Sequence, residues 1–187
     1  LPLGSHPRYS RLMHALALYL LTVLTIIAPK LDMTRARSIS TDIAAVVVSD
    51  ERAFRDDADG HKTALLLLSI AHFETGKSWA AWIDDGRCND PAWRATHASW
   101  LRGGDCDGGR SYSMWQLLVP GNPRYGKSLV ANRQLAVRAA LAHARMSLQL
   151  NGNLCAYSGE RPPHCSKAKT RLETAREWAE RFPYITQ

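Results

Sequence analysis

No Cys-x-x-Cys pair occurs in this chain, which removes zinc ribbons and thioredoxin-like redox chemistry from consideration. Acidic residues are missing between Asp107 and Glu160, while Arg110, Arg124, Lys127, Arg133, Arg138 and Arg145 fall inside that gap. No segment shows the two-residue alternation of a half-buried strand, and no internal repeat is visible. Helix-turn-helix, zinc and base-stacking signatures are also lacking, so the net charge of +7 does not by itself make a specific nucleic-acid binder. A one-signed face favours a polyanionic partner, and bacterial cell wall or acidic lipid suits it as well as nucleic acid does. A solvated basic surface without a specific partner is the plain alternative.

The 187 residues suit one compact domain with room for a real core. Four cysteines are present, Cys88, Cys106, Cys155 and Cys165. Their locality suggests bridges 88–106 and 155–165, which would imply an oxidising compartment or an extracellular particle. Three connectivities are formally open, and four free thiols in a cytosolic protein remain an alternative.

The opening "LPLGS", residues 1–5, looks like the remnant of a cleaved tag and is set aside from the fold. The stretch Leu12 to Ala28 then runs without a charge, at the lower limit of length for a membrane span. On a helix, Arg11, His14, Thr22 and Thr25 fall within one narrow stripe, for which lipid has no use. A helix packed in protein, or facing an interface, is the reading taken; a membrane anchor is the alternative. Residues 1–38 are accordingly read as an apolar helix and linker, and 39–187 as the main domain.

The main domain reads mostly as helix. "STDIAAVVVSDE" begins with capping chemistry at Ser40 to Asp42. "FRDDADGHK" is a turn, and "TALLLLSIAHFET" is a helix stopped by Gly76. The glycine-rich residues 86–110 read as a long loop or two short helices. "SLVANRQLAVRAALAHARMSLQL" reads as one long helix ending at Asn151 and Gly152. In the last helix Ser166 is the expected cap, and Ala168, Leu172, Ala175, Trp178, Ala179 and Phe182 share a face that Pro183 ends. The fold class expected is mainly α.

Glu74 is the residue that raises a chemical question. Helical phase sets Lys62, Ser69 and His72 on one side, read as the solvent side. Glu74 lies roughly opposite, in line with Leu67, Ile70 and Ala71. Burial disfavours an ionised carboxylate, and so does the negative end of the helix dipole near Gly76. Both act in the direction a general acid working near neutral pH requires. A structural glutamate holding a buried arginine or a loop amide is the competing expectation.

Two further segments bear on the choice, "GGRSYSMWQLL" at 108–118 and "LCAYSG" at 154–159. A glutamate at a helix end, a glycine-rich approach to M-x-Q, and a Tyr-Ser-Gly turn, in that order, resemble the soluble lytic transglycosylase and goose-type lysozyme superfamily. The resemblance covers about residues 60–160, and the closing "REWAERFP" is similar to the ends of phage- and bacterium-borne members. It implies a single lysozyme-like helical domain, here with an extra apolar N-terminal helix, needing no cofactor or metal. It also implies a virion-associated, periplasmic or extracellular enzyme that cleaves the β-1,4 bond between N-acetylmuramic acid and N-acetylglucosamine in peptidoglycan.

By the same resemblance Glu74 would be the single acid/base. Gln116 would line the cleft floor, Met114 would touch sugar, and Tyr157 would hold the acid in place. Ser158 stands where many relatives have asparagine, and Thr75 where a serine is common. A lysozyme would need a second carboxylate to help a water, for which Asp107 and Asp105 are candidates, with Asp84 and Asp85 behind them; turn chemistry is the alternative for these aspartates. Trp79, Trp82, Trp93 and Trp100 could stack on sugar rings. Plain core packing is the alternative for Met114, Trp115 and Tyr157. A catalytically silent particle component with the same fold, meeting virion or envelope proteins through its N-terminal helix, is the competing class.

Overall fold

The computed structural model describes residues 7–50, 52–77, 79, 95–96, 111–119 and 121–185. The fold is mainly helical. In chain order come α1 (Pro7–Ile27), α2 (Met33–Ser49), α3 (His61–Glu74), the two-residue strands β1 (Ser111–Tyr112) and β2 (Leu117–Leu118), then α4 (Pro123–Ala131), α5 (Arg133–Asn151) and α6 (Ser166–Arg181). The strands pair antiparallel, Ser111 opposite Leu118 and Tyr112 opposite Leu117, and enclose a turn at Ser113–Gln116. Too short to show an alternation, they left no mark in the sequence pattern.

α3 is the axis of the molecule. Every residue from Thr63 to Ala71 is buried, as expected of a helix apolar on all sides. It packs most extensively on α6 and also meets α1, α2 and α5. The expected solvent side holds only at the first turn, where the Lys62 side chain is 38% exposed; Ser69 is fully buried and its hydroxyl donates to the Arg171 carbonyl of α6 at 2.7 Å. His72 is half-buried against Trp178. Ser69, His72 and Glu74, expected on opposite sides, all meet α6, because helical phase carries no information on how a neighbouring helix wraps the surface.

The start of α3 is held by Asp57, whose carboxylate accepts the backbone N–H groups of Lys62 at 3.0 Å and Thr63 at 2.7 Å. This buried aspartate satisfies donors that a helix N-terminus otherwise leaves orphaned. Gly60 precedes the helix at φ +83°, and a side chain there would run into Val47 of α2. α2 and α3 approach closely at that glycine.

α1 and α2 form the other extensive pair. Leu16, Leu20, Val23 and Leu24 of α1 join Ile39, Ile43, Val46 and Val47 of α2 in the core that also holds α3, α5, α6, Met114 and Trp115. The division expected after residue 38 therefore falls inside α2, and the N-terminal helix is part of the core. Asp32, not Ser40–Asp42, caps α2, accepting from Arg35 N–H at 3.0 Å. The hydroxyls of Ser40 and Thr41 instead bond back to the carbonyls of Ala36 and Arg37. Asp42 ion-pairs with Arg133 of α5 at 2.9 Å.

The long helix expected over 128–150 is two helices. Asn132 leaves helical geometry at φ −134° and ψ 100°, and caps α5 by accepting from Leu135 N–H at 3.0 Å. One asparagine ends α4 and begins α5, a break that apolar periodicity cannot reveal because both helices continue it. Cys155 and Cys165 are joined in a disulfide with a Cα–Cα distance of 5.3 Å, tying the turn after α5 to the residue before α6. The 88–106 pairing and the reading of residues 86–110 lie outside the described residues, apart from Ala95 and Thr96. The last helix buries the expected Ala168, Leu172, Ala175 and Trp178, but Cys165 and not Ser166 holds its N-cap position, and no side chain there makes a capping bond. Its first turn is capped from outside, the Glu160 carboxylate accepting from Ala168 N–H at 2.9 Å and Lys167 N–H at 3.2 Å.

Candidate functional site

Glu74 is the last residue of α3, and the chain turns away from it through Thr75, Gly76 and Lys77. Gly76 and Lys77 both have positive φ, 62° and 64°, and their N–H groups return to the carbonyls of Phe73 and His72. The expected glycine stop is therefore present. The Glu74 side chain retains 20% exposure, so its carboxylate reaches the surface.

Arg171 faces it. The guanidinium Nη2 lies 2.5 Å from Glu74 Oε1, and the arginine side chain is only 7% exposed. The carboxylate thus meets a buried counter-charge, where the general-acid reading of the sequence had pointed only to burial and the helix dipole. This is the buried arginine of the competing expectation, although sequence reasoning did not single out Arg171. Its signal was present: Arg171 sits within the apolar stripe of α6, beside Leu172 and between Ala168 and Ala175, where a charge needs a partner.

The contact is a single point. Arg171 Nε is buried without a hydrogen-bond acceptor. Arg171 is the one side chain donating to Glu74 among the described residues. An ion pair that repays its desolvation is normally bidentate, or has its remaining atoms satisfied by other bonds. Among the described residues, Glu74 and Arg171 have neither arrangement.

The other two segments lie alongside α3, Trp115 against its middle and Tyr157 near Glu74. Trp115, fully buried, donates its indole N–H to the Leu67 carbonyl of α3 at 3.0 Å. The Tyr157 hydroxyl donates to the Trp115 carbonyl at 2.9 Å. Tyr157 is close enough to Glu74 and Arg171 for their charges to act on it. Burial pushes its phenol well above the ordinary range, the Glu74 charge adds to that, and Arg171 opposes it. The expected hydrogen bond from Tyr157 to the acid is not made, because the hydroxyl is taken by the Trp115 carbonyl.

Other expected contacts are turned inward. Met114 is fully buried in the core, so it packs and does not present itself to a sugar. Gln116, half-buried at φ 46°, donates its amide to the Ser113 carbonyl at 2.9 Å and closes its own turn. The Ser158 hydroxyl donates to the Leu154 carbonyl at 2.9 Å. Trp79 is 3% exposed and donates to His72 Nδ1 at 3.0 Å, which removes it from the candidates for sugar stacking. Asp107, Asp105, Asp84, Asp85, Trp82, Trp93 and Trp100 lie outside the described residues.

His72 accepts that bond through Nδ1, so its ring is neutral there. Burial lowers its pKa, and the nearby Lys77 lowers it further. A folded value below the unfolded one contributes stability above about pH 6.5, which is lost as pH falls through the folded value. The stability advantage of the wild type over His72→Phe is therefore expected to shrink between pH 7.5 and pH 5. Allowing for the half-exposed ring, the change should be under about 1 kcal/mol. Urea midpoints at the two pH values measure it, and an unchanged difference would sink the idea.

Comparisons with protein-family models, curated proteins and solved structures return no match to this chain.

Proposed function

We propose that the chain is a peptidoglycan-cleaving lytic transglycosylase with Glu74 as its acid/base. The observation that carries this reading is proximity: Tyr157, bonded to the carbonyl of Trp115, lies close enough to the surface-reaching Glu74 carboxylate for its charge to act on the phenol, so the three segments of the sequence resemblance come near one another. Protonated Glu74 would donate to the glycosidic oxygen as the bond to the muramoyl C1 breaks. The resulting carboxylate would take the proton of the muramoyl O6 hydroxyl as that oxygen closes on C1, leaving a 1,6-anhydro end. Arg171 suits the second half of this cycle, since it stabilises the carboxylate that the first half leaves behind. The basic run between 108 and 159 would assist docking on a wall that carries acidic peptide groups. The Cys155–Cys165 disulfide fits a periplasmic, extracellular or virion-borne setting.

Digestion of purified sacculi followed by mass spectrometry tests the reading. Anhydro-muramoyl ends are the expected product. Reducing ends would make the protein a hydrolase, and no soluble muropeptide at all would sink both.

A second reading is favoured by the ion pair itself. If Glu74 and Arg171 only join α3 to α6, the chain is a non-catalytic component of a particle or envelope assembly. The single contact among the described residues and the orphaned Arg171 Nε speak against that reading, because an ion pair kept for stability gains from having its donors satisfied.

A further inference from the structure

α1 is long and apolar enough to cross a membrane, yet only 22% of its most apolar window is buried. The inner face is well covered, with Leu16, Leu20, Val23 and Leu24 fully inside the core. The outward line runs Arg8, Arg11, Ala15, Leu18, Thr22 and Ile26, at helical spacings of three and four. Leu18 is 63% exposed and Ile26 46%.

The two threonines that made this stripe look polar do not behave as polar surface. Thr22 donates its hydroxyl to the Leu18 carbonyl at 3.1 Å, and Thr25 donates to the Thr22 carbonyl at 2.7 Å. Both hydroxyl hydrogens are used inside the helix and need no water acceptor. The objection to lipid drawn from Thr22 and Thr25 is thereby removed. A cavity of about 190 Å³ beside Leu18, walled by Met13 and Leu21, carries His14 and Arg37 at its edge.

Charge indicates what covers this face. The first acidic residue of the chain is Asp32, whereas Arg8 and Arg11 head the line and Lys30 follows it, all exposed. Neither arginine makes an ion pair among the described residues. Asp59, which lines the groove at the start of α1, is bonded to His61. A second copy of α1 would bring like charges together in either orientation: arginine on arginine if parallel, arginine on lysine if antiparallel. Spanning a bilayer would strip the inner face from the core and expose Ile39, Ile43, Val46 and Val47 of α2.

We propose that this face docks on the surface of an anionic lipid bilayer, with α1 lying flat over a length of roughly 30 Å. Leu18 and Ile26 enter the acyl boundary, and Arg8 and Arg11 meet acidic headgroups. The proposal does not rest on the role of Glu74.

Co-sedimentation of the full chain with phosphatidylcholine vesicles, with and without about one-third phosphatidylglycerol, tests it. Binding is expected only to the anionic vesicles. It should fall about tenfold or more with Arg8→Gln/Arg11→Gln, and similarly with the charge-neutral Leu18→Asn/Ile26→Asn. Lys167→Gln/Lys169→Gln on α6, both exposed, should leave it unchanged, and circular dichroism checks that the exposed substitutions preserve the fold. Equal binding to neutral vesicles, no binding to anionic ones, or anionic binding that survives Leu18→Asn/Ile26→Asn overturns the proposal. A dimer in sedimentation velocity that this last variant abolishes would overturn it in favour of a second copy.

Discussion

Glu74→Gln is expected to lower muropeptide release from purified sacculi by about 10²–10⁴-fold, the range general acid–base groups contribute. Glutamine keeps the volume and one acceptor oxygen for Arg171, but it can neither give a proton to the glycosidic oxygen nor take one from the O6 hydroxyl. Loss of activity alone would be ambiguous, because the same change removes the counter-charge of a buried arginine. Breaking a buried ion pair from one side costs up to about 3–5 kcal/mol, and the partial exposure of Glu74 should hold the cost below that range.

A double-mutant cycle separates the two roles. Arg171→Met removes the guanidinium while keeping an apolar side chain in the stripe of α6. If the pair is only a structural link, each single change lowers the urea midpoint, and Glu74→Gln/Arg171→Met recovers much of the loss. If Glu74 is the acid/base, stability recovers in the double variant but muropeptide release does not. Wild-type release rates from Glu74→Gln would end the catalytic assignment.

The sequence showed its helices unevenly. α3 and α6 were readable because each carries a strong local signal: an apolar run with a glycine stop in one, a regular stripe with a proline stop in the other. The α4–α5 break was hidden because a single asparagine with capping ability carries no periodicity. The cap of α2 was misplaced since Ser40, Thr41 and Asp42 have capping chemistry, while an earlier aspartate, Asp32, holds the position. At the site, sequence placed Glu74 at a helix end and chose Tyr157, Gln116 and Met114 as its company, of which only Tyr157 comes near the carboxylate through its own side chain. It could not show that α6 brings an arginine from 97 residues away to the carboxylate. That pairing depends on how α6 lies against α3, and local pattern does not encode it. The inward turn of Met114, Gln116 and Ser158 has the same origin. Short polar and soft side chains satisfy the nearest backbone or cavity, and their residue type alone does not distinguish that from a ligand contact.

Trp115→Ala is expected to destabilise the fold by about 3–5 kcal/mol, a large share of the roughly 5–15 kcal/mol that holds a typical domain together. Trp115 is the largest of the fully buried side chains. Its ring fills space against α3, its N–H is bonded to the Leu67 carbonyl, and its own carbonyl receives the Tyr157 hydroxyl. Truncation therefore leaves a cavity and loosens the turn through which the 111–118 segment and Tyr157 are held against α3. Trp115→Phe retains most of the apolar volume and loses the indole donor, so its cost should be nearer 1–2 kcal/mol, roughly the sum of one hydrogen bond and a modest void. Urea denaturation of both variants measures the ladder, and unchanged slopes would show that the unfolded reference is common. Should Trp115→Ala cost less than about 1 kcal/mol, the turn would be a surface loop resting on the core. The proximity on which the catalytic reading stands would then lack its anchor. A graded loss, with muropeptide release falling in step once Tyr157 is freed from the Trp115 carbonyl, would tie the packing of one indole ring to the position of the proposed acid.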